Sequence, residues 1–583
     1  MVAKLVKRSV LTAGVLVPAL LGVPKLAEAC GGFFCSSQSL PINQAAEQIV
    51  FADNGDGTVT AVIQIMYQGP AQNFSWLLPI STVPMAGQTI GVASNLAFQR
   101  LQQATNPQYT LTTQIEGTCA SDNRGFAGGG GSGGTSIGAP GVATGAGGSS
   151  SGGVTVEASG TVGAFDWTAI SLDPNLTDPS QAATTWLQSN GYLVSPGAPG
   201  LLRPYLESGL YLLALKLTKG SDTGSIRPLV LTYSASKPII PIKLTAVAAN
   251  KDMGVMAWLL SSARGVPENY RALELNEARI NWFNAASNYN DVVTAAGDQA
   301  GGHGFVTEFA GKSSALSQVV WQAFDEAQWQ GFTSRVYSNF DQLFQNSYGL
   351  YGNFDGFWDA VKAAVTPPSG VSFEDFKLCP SCYSNGVTFS PSAFVAALDK
   401  NVIQPMKTVQ NLIDAHPYVT RLYTTMSADE MTEDPLFTFN PDLPAVSNVH
   451  TATRVIECNP NVSQFNAPWH IDLPQGGRVR GTATQVGVWP DAFADQPANH
   501  RIMQLSQAGQ GAVLEDNDGA ISASLNTYNS SLNTTATGTD GQGTTSSHGC
   551  SVAFGSSSSR FGALAALAAL ALLRRRRSTS APS

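Results

Sequence analysis

Three groups of residues in this chain have the types and spacing to do chemistry. Cys379-Pro380-Ser381-Cys382 has the spacing of thiol and disulfide oxidoreductases, in which a thiolate stabilised at a helix start attacks a substrate disulfide. The residues before it, Val371 to Leu378, are only weakly strand-like, and Asn385-Gly386 soon after signals a turn, so a structural disulfide is the expected state. No second close Cys or His pair accompanies it, and no metal is expected there. Glu268, Glu277, His303 and Glu308 form the second group, since carboxylates with a histidine can do hydrolytic or metal-assisted work. His303 lies between Gly302 and Gly304 as a loop residue would, and Glu268 suits a helix start, so nothing in the spacing fixes a geometry. His416, His450, His470 and His500 are the third group. No Gly-x-Ser-x-Gly elbow or His-Glu-x-x-His pair accompanies them, and they receive no role. Catalytic residues are therefore unassigned, and neither a metal nor a cofactor is expected.

The elements that must position these residues read as α+β. Glu47 to Ala52 and Thr58 to Tyr67 are strand-like and flank Asp53-Asn54-Gly55-Asp56-Gly57, a hairpin turn rather than a calcium loop because the later carboxylates of such a loop are missing. Phe74 to Pro79 predicts another strand. Residues 125–153, nearly all Gly, Ser, Ala and Thr, read as a flexible loop, after which strand-like sequence resumes at Val154. A short helix is expected around Trp186, Leu187 and Tyr192, and strands at Tyr205, Leu210 to Leu217, Pro228 to Tyr233 and Ile239 to Ala248. From Pro267 the spacing of Tyr270, Leu273, Glu277, Ile280 and Phe283 predicts a helix, with further helices at Ser314 to Trp329, Asp355 to Val365 and Pro391 to Asp414. Pro405 should break or kink the last of these. Tyr418 to Thr424 predicts a strand, Ser427 to Glu430 a capping box, and residues 526–549 a solvated Ser/Thr/Gly stalk. The fold class is thus an N-terminal β-rich mixed unit, residues 30–250, followed by a helix-rich unit, residues 251–525, stabilised by disulfides. Trp282, Tyr289, Trp321 and Trp329 are candidate contact aromatics, with core packing as the more ordinary role.

Both ends of the chain look like addresses. Lys4, Lys7 and Arg8, an apolar Val10 to Leu21 and small Ala27 and Ala29 make a secretory leader over residues 1–29, cleaved between Ala29 and Cys30. Lipidation of Cys30 competes, but Ala27 and Glu28 suit that pathway poorly. At the other end, the 13 residues Phe561 to Leu573 reach about 20 Å as a helix against a hydrocarbon core of about 30 Å, and Arg574 to Arg577 follow. Nine of the 32 basic residues and one of the 41 acidic ones lie in the two ends, which leaves 23 against 40 and a net −17 over residues 30–549. Such a surface repels phosphate backbones, so nucleic-acid binding is excluded as an expectation. With Cys550 in the tail set aside, six cysteines remain: Cys30, Cys35, Cys119, Cys379, Cys382 and Cys458. An even set in an exported chain reads as disulfides. Local closure suggests Cys30 with Cys35 and Cys379 with Cys382, which leaves Cys119 for Cys458.

Cys550, a small-residue spacer, a short apolar run and an arginine cluster over residues 546–577 resemble the myxobacterial-type C-terminal sorting (MYXO-CTERM) domain. That resemblance implies sorting, cleavage and lipid attachment at Cys550. Cys30-Gly31-Gly32-Phe33-Phe34-Cys35, Phe74 to Pro79, the Arg227 to Leu244 region with Pro238 and Pro241, Val266 to Tyr270, Gly304 to Glu308 and Thr420 to Pro435 are similar to the family called domain of unknown function 2330. The resemblance spans most of residues 30–450 and implies an exported bacterial protein without an assigned activity. The reading that follows is a binding or structural protein of the cell envelope, meeting export and sorting machinery, the membrane through its tail, and an extracellular ligand of unknown identity. The alternative is an extracytoplasmic enzyme, either a thiol-disulfide oxidoreductase using Cys379 and Cys382 or a hydrolase using acids near His303.

Overall fold

The computed structural model describes residues 43–68, 75–120, 153–192, 194–217, 223–225, 227–247, 249–316, 325–485 and 487–536. The leader, Cys30, Cys35, Trp321, nearly all of the 125–153 loop, residues 537–549 and the Cys550 tail lie outside them.

Asn43–Asp53 and Thr58–Gln68 form the antiparallel hairpin expected from their turn. Gly55 and Gly57 take φ of 74° and 83°, where a side chain would be strained, and the Asp56 carboxylate accepts from the Thr58 amide at 2.9 Å. Along the first strand Ile49 and Phe51 face one way and Val50 and Ala52 the other, and all four are buried, so this strand has a covered face on each side. It belongs to an 11-stranded sheet. The order runs Ala512–Asp516, Asn499–Gln504, Arg271–Leu275, Gly304–Lys312, Tyr418–Met426, Ala249–Ser261, Asn43–Asp53, Thr58–Gln68, Leu229–Ser234 and Ile90–Val92, with Thr223–Ser225 beside Thr58–Gln68. Strands from either side of residue 250 therefore share one sheet, and the described residues up to Leu532 make one compact unit.

One face of this sheet packs on a four-stranded antiparallel sheet, Ser75–Ile80, Tyr211–Leu217, Phe165–Leu172 and Val154–Val162, through Phe51, Trp76, Trp167 and Leu213. Helices Pro179–Ser189 and Ala198–Glu207 cover that sheet's outer face with Trp186, Leu187, Leu202 and Tyr205. Helices Asn95–Thr105 and Gln404–Ala415 cover the large sheet's other face with Phe98, Leu101, Val409 and Ile413. A third sheet, of four strands, pairs Val449–Glu457 in parallel with Gln108–Glu116. Past these strands Cys119 and Cys458 sit at disulfide distance, Cα atoms 4.7 Å apart. The α+β class holds, with a β-rich N-terminal region and most helices after Tyr289.

Several elements differ from the sequence reading, each for a local reason. Tyr205 lies in helix Ala198–Glu207 and not in a strand, and among the described residues 239–247 the expected strand is a short helix, Ile242–Thr245, with Ile239 alone bridging to Leu436, because Pro238 and Pro241 lack the amides a ladder needs. The helix expected from Pro267 is instead the strand Arg271–Leu275 followed by two 3-10 turns, Glu277–Arg279 and Trp282–Asn284, each opened by an Asn side chain that accepts a backbone amide. Helix Glu326–Thr333 replaces part of the Ser314 to Trp329 prediction, whose residues 317–324 are outside the description. Pro405 does not break its helix: Pro391–Leu398, a π turn at Asp399–Ile403 and Gln404–Ala415 run on without a gap, and the Asn401 carbonyl, to which Pro405 has no N–H to donate, accepts from Arg227 Nη2 at 2.8 Å. The Ser427 to Glu430 segment makes the capping-box bond, the Glu430 carboxylate accepting from the Ser427 amide at 2.7 Å, but it opens a turn and not the expected short helix. The start of the expected stalk is helix, Asp518–Ala536. Among the described residues no helix is long and apolar enough to cross a membrane.

Candidate functional site

The site begins at a β-bulge. Thr307 pairs with Leu422 and Phe309 with Arg421, so Glu308 is an extra residue in its strand. A bulge re-aims a side chain, and Glu308 lies buried against Arg421, Oε2 to Nε 2.5 Å. Arg421 Nη1 donates to Gln102 O, Thr105 Oγ1 and Asn106 Oδ1 at 3.2, 3.1 and 2.6 Å. Its guanidinium lies 5.5 Å from the centre of the Trp258 ring. Tyr289, the first residue of helix Tyr289–Gln299, donates its hydroxyl to Glu308 Oε1 at 2.7 Å. Burial raises the Glu308 carboxyl, while Arg421 and then Tyr289 oppose the rise.

Glu277, in the 3-10 turn after Arg271–Leu275, brings a second buried carboxylate. Its Oε1 accepts from His450 Nδ1 at 2.7 Å. In the neutral ring this contact suits the Nδ1–H tautomer, with Nε2 as the acceptor nitrogen. Glu277 is 4% exposed, and its Oε2 has no hydrogen-bond partner among the described residues. His450 pairs in register with Tyr109, and the rings stack at 4.5 Å and 11°. Tyr109 also meets Trp282 edge-on at 5.1 Å. Burial first, then Glu277 and Glu308, pushes the Tyr109 phenol far above its ordinary range. Burial, with Glu308 nearby, takes the Tyr423 phenol up to about 12.

These groups surround a cavity of about 320 Å³ lined by Tyr109, Arg264, Glu277, Tyr289, Glu308 and His450, among other residues. Leu273, Val306, Leu443, Met503 and Leu505 supply apolar wall. Arg264 is 9% exposed. Its Nη1 and Nη2 donate to Pro444 O and Thr307 Oγ1 at 3.1 and 3.2 Å, and its Nε has no partner. The cavity has the mixed lining of a small-molecule site.

The structure divides the acid and histidine group read from the sequence. Glu277 and Glu308 line the cavity, whereas Glu268 pairs with Lys237 at 2.6 Å and His303 Nε2 lies 3.0 Å from both Glu430 O and Thr432 Oγ1. Of the histidines without an assigned role, His450 joins the site. His416 contacts the carbonyls of Leu412 and Asp53, His470 the Glu457 carboxylate, and His500 the Asp518 carboxylate. Trp282 and Trp329 are core residues, not contact surfaces, because their rings pack inside aromatic clusters. Tyr109, Arg264 and Arg421 escaped the sequence reading, which named His450 but gave it no role. Their one local signal is a polar or charged residue inside a strand-like run, as in Val419-Thr420-Arg421-Leu422.

Cys379 and Cys382 lie at disulfide distance, Cα atoms 5.3 Å apart. Cys379 closes the six-residue helix Phe373–Leu378 and opens the 3-10 helix Pro380–Gly386, so it stands between the end of one helical segment and the start of the next. Among the described residues no group of three or more His, Cys, Asp and Glu side chains could hold a metal ion.

No curated protein matches this chain. Among solved structures, a mutated baculovirus P35 after caspase cleavage aligns at 13% identity and a TM-score of 0.20, over 38% of this chain and 66% of that one, just under two thirds of its length. So low a score carries nothing about fold or function. The family match stops short of Arg421, His450 and the Thr420 to Pro435 segment, where the sequence also suggests similarity. It runs over residues 24–345, enclosing Tyr109, Glu277, Tyr289 and Glu308, and on that span the chain belongs to the family described as uncharacterized protein conserved in bacteria (DUF2330).

Proposed function

We propose that this chain is an exported, surface-anchored binding protein of the bacterial cell envelope, and that the cavity beside Glu277 and His450 is its ligand site. One observation carries the binding reading: the cavity gathers polar groups whose capacity the fold does not use, above all the buried Glu277 Oε2. A stability-only core leaves few such atoms unpaired. Export is supported by the leader ending at Ala29 and by cysteine pairs suited to an oxidising compartment. Anchoring rests on the tail, with Cys550 as the residue that is sorted, cleaved and joined to lipid, and the membrane, the export machinery and the sorting machinery as partners. The net −17 of residues 30–549 argues against nucleic acid.

Two measurements test this. Intact mass of the native protein should give a chain from Cys30 to Cys550 carrying lipid, and a chain ending at Ser583 overturns the anchor. Diethylpyrocarbonate reacts with histidine, so carbethoxylation of His450, read by peptide mass, should slow when a ligand fills the cavity.

A second reading, hydrolysis, is favoured by the His450 to Glu277 contact, which leaves Nε2 as a base for water. Turnover of a small ester that vanishes in His450→Gln while the fold persists would establish it. The redox alternative at Cys379 and Cys382 has the weaker support: the two lie at disulfide distance, and Cys379 opens only a short 3-10 helix, Pro380–Gly386.

A further inference from the structure

Most charges around the cavity are balanced within the protein. Glu308 pairs with Arg421, and Glu274 lies 3.6 Å from His500 and 3.9 Å from Arg501. Two groups of opposite sign, Arg264, on which Glu274 acts only from beyond ion-pair distance, and Glu277, whose contact is with His450, keep hydrogen-bonding capacity that the described residues do not fill. Arg264 is a buried cation whose two protein acceptors, a carbonyl and a hydroxyl, are both neutral. Among the described residues no carboxylate lies within ion-pair distance of it, and its Nε is unpartnered. Burial pulls its pKa down, yet a guanidinium stays charged at any ordinary pH. Glu277 spends one carboxylate oxygen on His450 and keeps the other unpartnered. Removing a charge from water without a partner is costly, so two such groups of opposite sign on one cavity are a complementary pair waiting on a dipolar guest. The wall around them is apolar: Leu273, Val306, Leu443, Met503 and Leu505. The volume of about 320 Å³ equals about ten water molecules of liquid, enough for one amino acid or a very short peptide.

We infer that the ligand of this cavity is a small zwitterion with an apolar body, its carboxylate held by Arg264 and its ammonium by Glu277. The inference rests on the binding reading above. It is tested on the full chain with leucine and leucyl-leucine, each also in N-acetylated form, which lacks the ammonium, and in C-amidated form, which lacks the carboxylate. Titration calorimetry measures affinity, and carbethoxylation of His450 reports whether the cavity itself is filled. The free zwitterion of one length should bind and shield His450, and each blocked form should bind at least tenfold more weakly. Arg264→Met should abolish the preference for a free carboxylate, and Glu277→Gln the preference for a free ammonium. The analogue series on the unaltered chain stands even where a variant fails to fold. Blocked forms that bind as well as the zwitterion overturn the inference, as does shielding of His450 by an unrelated small molecule when none of the six compounds shields it. In both cases the binding reading survives. A chemically mixed panel in which nothing shields His450 overturns the inference and the binding reading together.

Discussion

The helices from Glu326 to Ala415 pack their aromatic rings on one another, whereas the cavity sets Tyr109 and Tyr289 beside buried charge. In the helical region Trp329, Phe340, Phe344, Phe357 and Phe376 belong to one apolar cluster, and among the described residues 326–415 the buried polar residues are Ser347 and Gln410. Its polar side chains work at the surface, where Asp325, Asn339, Ser372 and Ser390 cap helix starts. Around the cavity Tyr109, Trp282, Tyr289 and Tyr423 enclose Glu277, Glu308 and Arg421, all buried. Buried charge costs stability that apolar packing of the same volume does not, and that cost sets the surroundings of the cavity apart from the helical core.

The largest expected effects compare the two regions directly. Phe357→Ala empties an aromatic core and should cost about 3–5 kcal/mol. Arg421→Met strands Glu308 and should also cost about 3–5 kcal/mol. Urea midpoints measure both. The contrast lies in rescue: Glu308→Leu added to Arg421→Met should recover most of the loss, because the pair's cost is desolvation. If the double variant is no more stable than Arg421→Met, the charges around the cavity are ordinary scaffolding and the comparison fails.

The disulfides sharpen the same contrast. Replacing Cys119 and Cys458 with serine opens a closure of 339 residues and should cost about 2–5 kcal/mol, against about 2 kcal/mol for the Cys379 and Cys382 pair, separated by 3. Cys119 and Cys458 follow the strands that carry Tyr109 and His450, so only their loss should speed carbethoxylation of His450. Equal rates in both variants would separate the cavity from that strand pair.

How much was legible follows from how local each feature is. The Asn43 to Gln68 hairpin was readable because Asp53 to Gly57 contains the residues its turn requires. In the helical region Phe357–Ala364 and the run from Pro391 to Ala415 were readable because their apolar residues recur at helical spacing, whereas Phe340–Tyr351 and Phe373–Leu378 were not foreseen. Between Pro267 and Phe283 the same spacing misled. Leu273 and Leu275 face one apolar cluster from a strand, and the 3-10 turns that follow bring Ala278, Ile280 and Trp282 into that cluster. The Cys119 pairing followed from elimination, a sequence argument. The cavity had no such route. Tyr109, Glu277, Glu308, Arg421 and His450 come from across more than half of the chain, and the bulge that turns Glu308 inward has no sequence signature.

A smaller effect should appear in pH dependence at the cavity and be absent from the helical core. The folded Glu308 pKa stands above its ordinary value of 4.5 because burial outweighs Arg421. The group's contribution to stability is then full below about pH 4.5 and is lost as pH rises through the folded value. In Glu308→Gln that fall should vanish from the stability profile, whereas Phe357→Ala should shift the whole profile without changing its slope.

The smallest effect concerns the cavity region's outer edge, where His500 meets the start of helix Asp518–Ala536. His500 is the bulged residue between Leu275 and Glu274 pairings, its Nε2 lies 2.8 Å from Asp518 Oδ1, and its Nδ1 lies 3.6 Å from Glu274. The Glu274 contact raises the imidazole above 6.5; burial opposes the rise, Asp518 adds to it, and Arg501 works against it. A histidine with a raised folded pKa contributes stability that is complete below about pH 6.5 and disappears as pH rises through the folded value. That stability belongs to a local contact, so it should be seen in the amides of residues 518–525 rather than in a global melt. Hydrogen exchange there, corrected for its intrinsic pH dependence, should show protection falling from pH 6 to pH 8 in the unaltered chain and staying level in His500→Asn. Ile521 and Leu525 pack into the cluster that also contains Leu273 and Trp282, so the helix should stay docked at either pH and only its first turn should loosen. Protection that falls equally in both chains would assign the change to another group and leave His500 as packing.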